Sequence, residues 1–317
     1  MPKRHRPRHG SLQVWPRKRA KSENPRIRSW PHVDTSQLSG FIGYKVGMVQ
    51  ISYLDKNPNT RLKGKEIVTP ATILECPPLK PLSLRFYRKT PYGLKLISEV
   101  KAKNLDKHLA KRITIPKKPS EQKVPEQFDD VRMMVYTQPY LTSLGKKSPE
   151  IVELGITGMQ EKKLEYAQTL LEKDIPIQEI FKPLQFIDAH AVTKGKGLQG
   201  TIKRYGVDLK QKKSEKHKRA IGNLGPFQPR KVRFSVAHPG QMGYHQRTDY
   251  SKPIAKIGTA KDKINPKQGF KRYGLIKNDY LIIHGSVPGP TKRMVKILPA
   301  MRRRKSWNVE VKGVLQR

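Results

Sequence analysis

Acidic side chains are scarce in this sequence: its 317 residues hold 25 Asp and Glu against 66 Lys and Arg, a formal charge of +41 at pH 7. Such a chain repels itself unless a polyanion neutralises it, and nucleic acid is the commonest polyanion, so a freely diffusing metabolic enzyme fits poorly. Thiols are scarcer still. Cys76 stands alone, which excludes an intramolecular disulfide, an iron–sulfur cluster and a zinc site built on several thiolates. Beside Pro77 it reads as a small buried residue. No apolar run approaches the roughly 18 residues of a membrane span, and Lys3, Arg4, Arg6 and Arg8 lead into proline and tryptophan rather than an apolar signal core. The expectation is a cytoplasmic protein without a membrane partner. Hydrophobic residues make up 35%, below the roughly 45–50% usual in globular chains, so the core should be small for a length that suggests about two domains.

The charge is unevenly spread. Residues 1–31 carry ten Lys and Arg against Glu23 alone, interrupted by five prolines, a composition that favours an extended arm ordered by its partner. Arginines there can fork onto phosphates, and Trp15 and Trp30 offer stacking faces. Residues 121–190 are the reverse, with 12 acidic residues against eight Lys and Arg, and should face something other than phosphate. Residues 193–256 return to 16 Lys and Arg against Asp208, Glu215 and Asp249, with glycine, proline and single aromatics but little helical or strand period. A segment of that kind suggests a shaped extension that solidifies against its ligand.

From Ser39 onward, glycine-punctuated β-formers predict strands with bends. Further strands are expected at Glu66–Glu75, Leu94–Val100, Arg132–Thr137, Phe186–Thr193, Leu275–Val287 and Met294–Leu298, where β-branched residues are bounded by turn formers. Thr157-x-x-Gln160 reads as a capping box opening a helix to about Lys173, with Leu164, Ala167, Leu170 and Leu171 as its apolar stripe. Asn104 is expected to cap a shorter helix through Lys111.

Catalytic motifs are thin. Gly195-Lys196-Gly197-Leu198-Gln199-Gly200 has dinucleotide-fingerprint spacing, but residues 216–223 hold no acid for a ribose. The better reading is glycine backbone approaching phosphates closely while Lys194, Lys196, Lys203 and Arg204 supply charge. Nine scattered histidines lack zinc spacing, and Gly285-Ser286-Val287-Pro288-Gly289-Pro290-Thr291-Lys292 reads as a rigid turn between strands, its prolines lacking the donors of a phosphate cradle. Between Gly225 and Asp249, Phe227, Phe234, Tyr244 and His245 alternate with Arg230, Lys231, Arg233 and Arg247. Rings that stack on bases among cations that bridge phosphates are the composition of an RNA-penetrating loop.

Several blocks resemble the universal L-three family of large-subunit ribosomal proteins. They are Arg6-Pro7-Arg8-His9-Gly10-Ser11-Leu12 with Pro16-Arg17-Lys18-Arg19, Gly43-Tyr44-Lys45-Val46-Gly47-Met48, Val192-Thr193-Lys194-Gly195-Lys196-Gly197, Lys203-Arg204-Tyr205-Gly206, the stretch from Pro239 to Thr248, and Gly285 to Pro290. The basic N-terminal block and the large insertion are similar to the archaeal and eukaryotic branch, and the short C-terminus resembles the archaeal members. The resemblance implies a mainly β fold: a six-stranded barrel of the translation-protein type from residues 39–75 and 186–300, interrupted by an α+β insertion at 76–185. A basic N-terminal arm at 1–38, a long central finger at about 207–256 and a basic tail at 301–317 complete it. It also implies a structural, non-enzymatic role without cofactor, metal or small-molecule substrate. Its partners would be large-subunit rRNA and neighbouring ribosomal proteins, with early subunit assembly and a finger reaching toward the peptidyl-transferase centre. The residues it assigns to rRNA are Arg4, Arg6, Arg8, His9, Arg17, Lys18 and Arg19 in the arm. In the central segment they are Lys194, Lys196, Lys203, Arg204, Lys212, Lys213, Lys216, Lys218, Arg219, Arg230, Lys231, Arg233, Phe234, Gln241, His245 and Arg247. Eukaryotic members of the family carry tryptophan at the finger tip; here Phe234 takes that place, which keeps stacking but loses the indole donor.

Charge of this density has a measurable consequence. RNA affinity of the full chain is expected to fall steeply with salt, by about 0.7–0.9 log units per log unit of salt for each phosphate neutralised. A filter-binding series that stayed flat between low and moderate salt would contradict an electrostatic mode of binding.

Overall fold

The computed structural model describes residues 11, 14–31, 35–116, 124–214, 217–228, 230–262, 264–302 and 306–315. The chain divides into two units, one made of residues up to Ser22 with Thr193–Gln246, the other of Glu23–Val192 with Arg247–Arg317. The fold is mainly β.

The second unit contains two antiparallel sheets. The larger uses β1 (Phe41–Asp55), β2 (Glu66–Glu75), β7 (Phe186–Val192), β10 (Gln246–Gly258), β11 (Tyr280–His284), β12 (Met294–Pro299) and β13 (Val309–Leu315). Their order is β12-β7-β10-β11-β2-β1-β13, and β12 also pairs with β1. One edge of β1 therefore serves two partners, β12 along Phe41–Tyr44 and β13 along Gln50–Asp55. The smaller sheet, in the order β4-β3-β5-β6, uses β3 (Lys80–Thr90), β4 (Gly93–Lys101), β5 (Asp130–Tyr136) and β6 (Ile151–Gly155). Helix α1 (Gln160–Leu170) follows β6, and Leu164, Ala167, Leu170 and Leu171 turn toward the core as their spacing requires. One continuous cluster, including Phe41, Ile73, Leu74, Phe86, Val135, Leu154, Phe181, Ile187, Leu281 and Ile297, joins both sheets and the helix. Cys76 is buried within it.

Two family blocks meet inside this unit. The Lys45 ammonium donates to the carbonyls of Val287 and Gly289, while backbone bonds join Lys45 N to Arg293 O at 3.0 Å and Lys292 N to Lys45 O at 2.7 Å. Pro288 and Pro290 have no N–H of their own, so the carbonyls of Val287 and Gly289 are left to a lysine donor. Burial draws the Lys45 pKa down, opposed by Asp249. Glu75, fully buried, is held the same way by satisfaction of its lone pairs. It accepts from Tyr273 Oη, from the backbone N–H groups of Lys277 and Asn278 at 2.9 and 3.0 Å, and from Asn278 Nδ2 at 2.8 Å.

Several expectations need correction. The Thr157 hydroxyl donates to the carbonyls of Thr35 and Gln37, so it forms no capping box; Met159 occupies the N-cap without a side-chain bond. The shorter helix is a 3-10 turn at Lys107–Lys111 capped by Asp106, not Asn104, whose carboxylate takes the His108 N–H at 3.1 Å. The strand expected over Leu275–Val287 is confined to Tyr280–His284 because Asn265 and Glu75 take the N–H groups of residues 276–278. Residues 309–315, expected within a basic tail, alternate Val, Glu, Val, Lys and add β13 to β1, with Trp307 packed edge-on against Tyr53 at 5.4 Å. Strands β3 and β6 carry no expectation from the sequence, although Leu82, Leu84 and Phe86 alternate inward along β3.

Lys296 on β12, opposite His190 of β7, is 5% exposed and has no bonded partner among the described residues. Burial lowers its pKa to about 8, and lowers that of His190 to about 4. Between about pH 8 and 10.5 the unfolded chain binds a proton that the folded one has released, so stability rises with pH there; at pH 7 the folded state bears the whole penalty, about 3 kcal/mol. Lys296→Met is expected to raise the unfolding free energy at pH 7 by about 2–3 kcal/mol and to flatten that rise, read by urea titration. A variant less stable than the parent would show that the ammonium is net stabilising.

Candidate nucleic-acid interface

The first unit is built on a short ladder. Strands β8 (Leu198–Gln199) and β9 (Gly240–Gln241) pair, and the pairing continues through Lys196 N to Met242 O, Met242 N to Gly197 O and Thr193 N to His245 O, each at 2.9 Å. The chain thus leaves and returns at one base. Gly243 makes the close approach possible: its φ is +72°, and a Cβ there would lie 2.1 Å from the Lys194 carbonyl oxygen. Helix α2 (Thr201–Tyr205) follows β8 and ends at Gly206 in the left-handed region.

Arg204, at the end of α2, fastens the returning strand. Its Nε donates to Gln241 O at 3.1 Å and its Nη1 to His238 O at 2.8 Å. Arg17 reaches from the arm to donate to Arg204 O at 2.9 Å, with its guanidinium 4.3 Å from the Tyr205 ring centre. Trp15 lies between Tyr205, at 5.3 Å, and Phe234, which it meets edge-on at 6.1 Å. The arm is joined by backbone as well: Ala20 N donates to Tyr244 O at 2.8 Å, and His245 Nδ1 lies 2.7 Å from Lys18 O. A carbonyl only accepts, so Nδ1 carries the proton. Residues 15–20 of the arm are therefore held on the base of the finger.

These contacts sort the candidate residues. Arg204 and Arg17 use guanidinium donors on carbonyls, Gln241 donates to the Gly243 carbonyl at 2.9 Å, and buried His245 holds Lys18. All four form the frame. Lys18, Arg19, Lys194, Lys196, Lys203, Lys212, Lys213, Lys218, Arg219, Arg230, Lys231 and Arg233 are exposed, as is Phe234 at 72%. Arg247 is half-buried and belongs to the second unit. Arg4, Arg6, Arg8, His9 and Lys216 lie outside the described residues. Tyr205, absent from the expected set, meets the Trp15 ring and the guanidinium groups of Arg17 and Arg204; its place directly after Lys203-Arg204 was the available signal.

The unit holds 21 of the 66 Lys and Arg but only Asp208 and Glu215 of the acidic residues. Among the described residues it contains no ion pair between Lys or Arg and a carboxylate, whereas the second unit has ten, such as Arg85–Glu99 and Arg132–Asp130. No group of three or more His, Cys, Asp or Glu that could hold a metal occurs among the described residues. A frame that presents unpaired cations and exposed rings has the charge and ring composition that nucleic-acid binding calls for.

Comparison with known proteins gives the particular family. The family model for ribosomal protein L3 matches residues 1–129 and 118–314. The large ribosomal subunit protein uL3 of Archaeoglobus fulgidus is 47% identical over 309 residues, covering 95% of this chain and 93% of that protein. Those of Methanothermobacter thermautotrophicus and Methanocaldococcus jannaschii are each 45% identical, covering 95% and 94% of this chain and 94% and 92% of theirs. The chain belongs to the ribosomal protein L3 family, in its archaeal form, and is not an enzyme.

Removing the Arg204 guanidinium should open the base without changing the exposed cations. Arg204→Ala is expected to destabilise the closure by about 1.5–3 kcal/mol, the range for bonds to a charged donor, seen as faster amide exchange at Gln241 and Met242. Lys212→Ala should leave that exchange unchanged. Equal exchange in both variants would show that Arg204 does not close the base.

Proposed function

We propose that the chain is a structural constituent of the large ribosomal subunit that binds large-subunit rRNA through its first unit. The observation that carries this reading is the accumulation of exposed Lys and Arg without acidic partners. Such charges gain most from phosphates that release condensed counterions, and the exposed rings of Phe227 and Phe234 add sequence-tolerant stacking. Arg230, 4.9 Å from the Phe227 ring centre, offers charge and ring face together. In this reading the segment from residue 207 to the return at β9 forms a finger directed toward the peptidyl-transferase centre, residues 246–256, expected within it, being β10 of the larger sheet instead, and early binding of arm and finger supports subunit assembly. The ring of pairings β12-β7-β10-β11-β2-β1 with β1 returning to β12 supports a six-stranded barrel as the anchor, with β3–β6 and α1 as the insertion. Neighbouring ribosomal proteins are expected to meet the ion-paired surfaces.

Phe234 tests the reading at its sharpest point. Its edge contact with Trp15 leaves most of the ring exposed, so Phe234→Ala should remove about 1–3 kcal/mol of base stacking while Phe234→Trp is nearly neutral. In large subunits carrying the Ala variant, chemical probing should find altered rRNA reactivity around the peptidyl-transferase centre. Unchanged reactivity with a more protease-sensitive finger would mean that Phe234 props Trp15 instead, and absence of the chain from large subunits would reject the wider reading.

A further inference from the structure

The second unit contains a cavity of its own, lined in part by the end of the arm. It measures about 420 Å³ and is lined by Arg28, Trp30, Asp130, Arg132, Lys163 and the backbone of residues 155–159. One face of the Trp30 indole lies on Gly155, where a Cβ would come within 2.8 Å of Trp30 Cδ2, so glycine lets the ring rest on the backbone of β6 while the rest of it lines the cavity. The charges of the wall are largely balanced: Asp130 takes Arg132 Nε at 3.2 Å and Lys163 Nζ at 3.4 Å, and Arg132 Nη1 lies 3.7 Å from Glu153. Arg28 is exposed and has no acidic partner among the described residues. An indole, one uncommitted guanidinium and a neutralised polar wall therefore share one concave site within the unit where the acids are concentrated.

We propose that this cavity takes a single unpaired nucleotide of RNA, its base against Trp30 and its phosphate on Arg28. The volume suits a base with its sugar and is too small for a packed helix or a length of peptide strand. One free cation matches one phosphate, unlike the first unit, whose many cations suit a continuous backbone. The Asp130 carboxylate supplies an acceptor for ring amino groups. The proposal rests on the reading of the chain as an rRNA-binding protein but concerns a separate site on the other unit.

Large subunits containing the full chain, irradiated at 254 nm and digested with trypsin, provide the test. The tryptic fragment containing Trp30, which begins at Ser29 in the parent and at Ile27 in Arg28→Ala because that cleavage site is lost, is expected to carry a nucleotide adduct on Trp30, and the adducted share of this fragment should fall several-fold in the variant without lowering adducts on fragments from residues 194–233. Adducts on those fragments but none on Trp30, or a Trp30 fragment linked to another protein, would overturn the nucleotide site while leaving the proposed function intact. No adduct on either would overturn both. A Trp30 adduct whose yield ignores Arg28→Ala would overturn the assignment of the phosphate.

Discussion

Repulsion between like charges, left uncancelled in one part of the molecule and cancelled in the other, governs this protein. In water two unit charges 4 Å apart interact by about 1 kcal/mol, and screening at physiological salt acts over about 8 Å. Cations as dense along the sequence as Lys212, Lys213, Lys218 and Arg219 therefore disfavour collapse onto one another, and Asp208 and Glu215 are too few to offset them. In the second unit the cations meet carboxylates, as in Lys163–Asp130 or Lys146–Glu150, and a hydrophobic core forms in the ordinary way. The same chain thus contains a part built on a buried hydrophobic core and a part whose cations lack carboxylate partners among the described residues.

The uncancelled part is nevertheless shaped before any anion arrives, because its frame relies on groups that charge repulsion does not disturb. Backbone ladder bonds between residues 193–199 and 240–245, the Gly243 turn, and the guanidinium bonds of Arg204 to two carbonyls fix where the finger leaves and returns. His245 and Ala20 tie the arm to that base, and Trp15 fills the space between Tyr205 and Phe234. Arginine suits the closure role because its fork can serve two acceptors at once and keeps its charge. Function follows from the division of labour. Half-buried Arg17 and Arg204 hold the shape, and exposed Lys194, Lys203 and Arg233 remain available to phosphate.

Much of this was legible in the sequence, for identifiable reasons. Strands β2, β7 and β12 are β-branched runs ended by turn residues, and a local pattern suffices to find them. The stripe of α1 was equally plain. Thr157 misled because the hydroxyl of a cap-like pattern was claimed by the carbonyls of Thr35 and Gln37, about 120 residues away in sequence. β13 was hidden by the charges around it, since Glu310 and Lys312 point outward to Lys56 and Glu66 while Val309 and Val311 pack inward. Pairings between strands as distant as β1 and β12 leave no local trace. In the interface, the sequence located the cations but not their tasks: nothing in the letters of Arg204 or His245 separates a donor facing phosphate from one already bound to a carbonyl.

Whether the exposed cations of the first unit are neutralised by RNA can be decided by determining the structure of a large ribosomal subunit containing this chain. Phosphate oxygens should lie within about 3 Å of several of Lys194, Lys196, Lys203, Lys212, Lys218, Arg219 and Arg233, the distance of a charge-assisted bond. Arg204 and His245 should keep their carbonyl partners. The opposite arrangement, with those lysines and arginines facing solvent or the carboxylates of neighbouring proteins, would contradict neutralisation by RNA as the organising force of the unit.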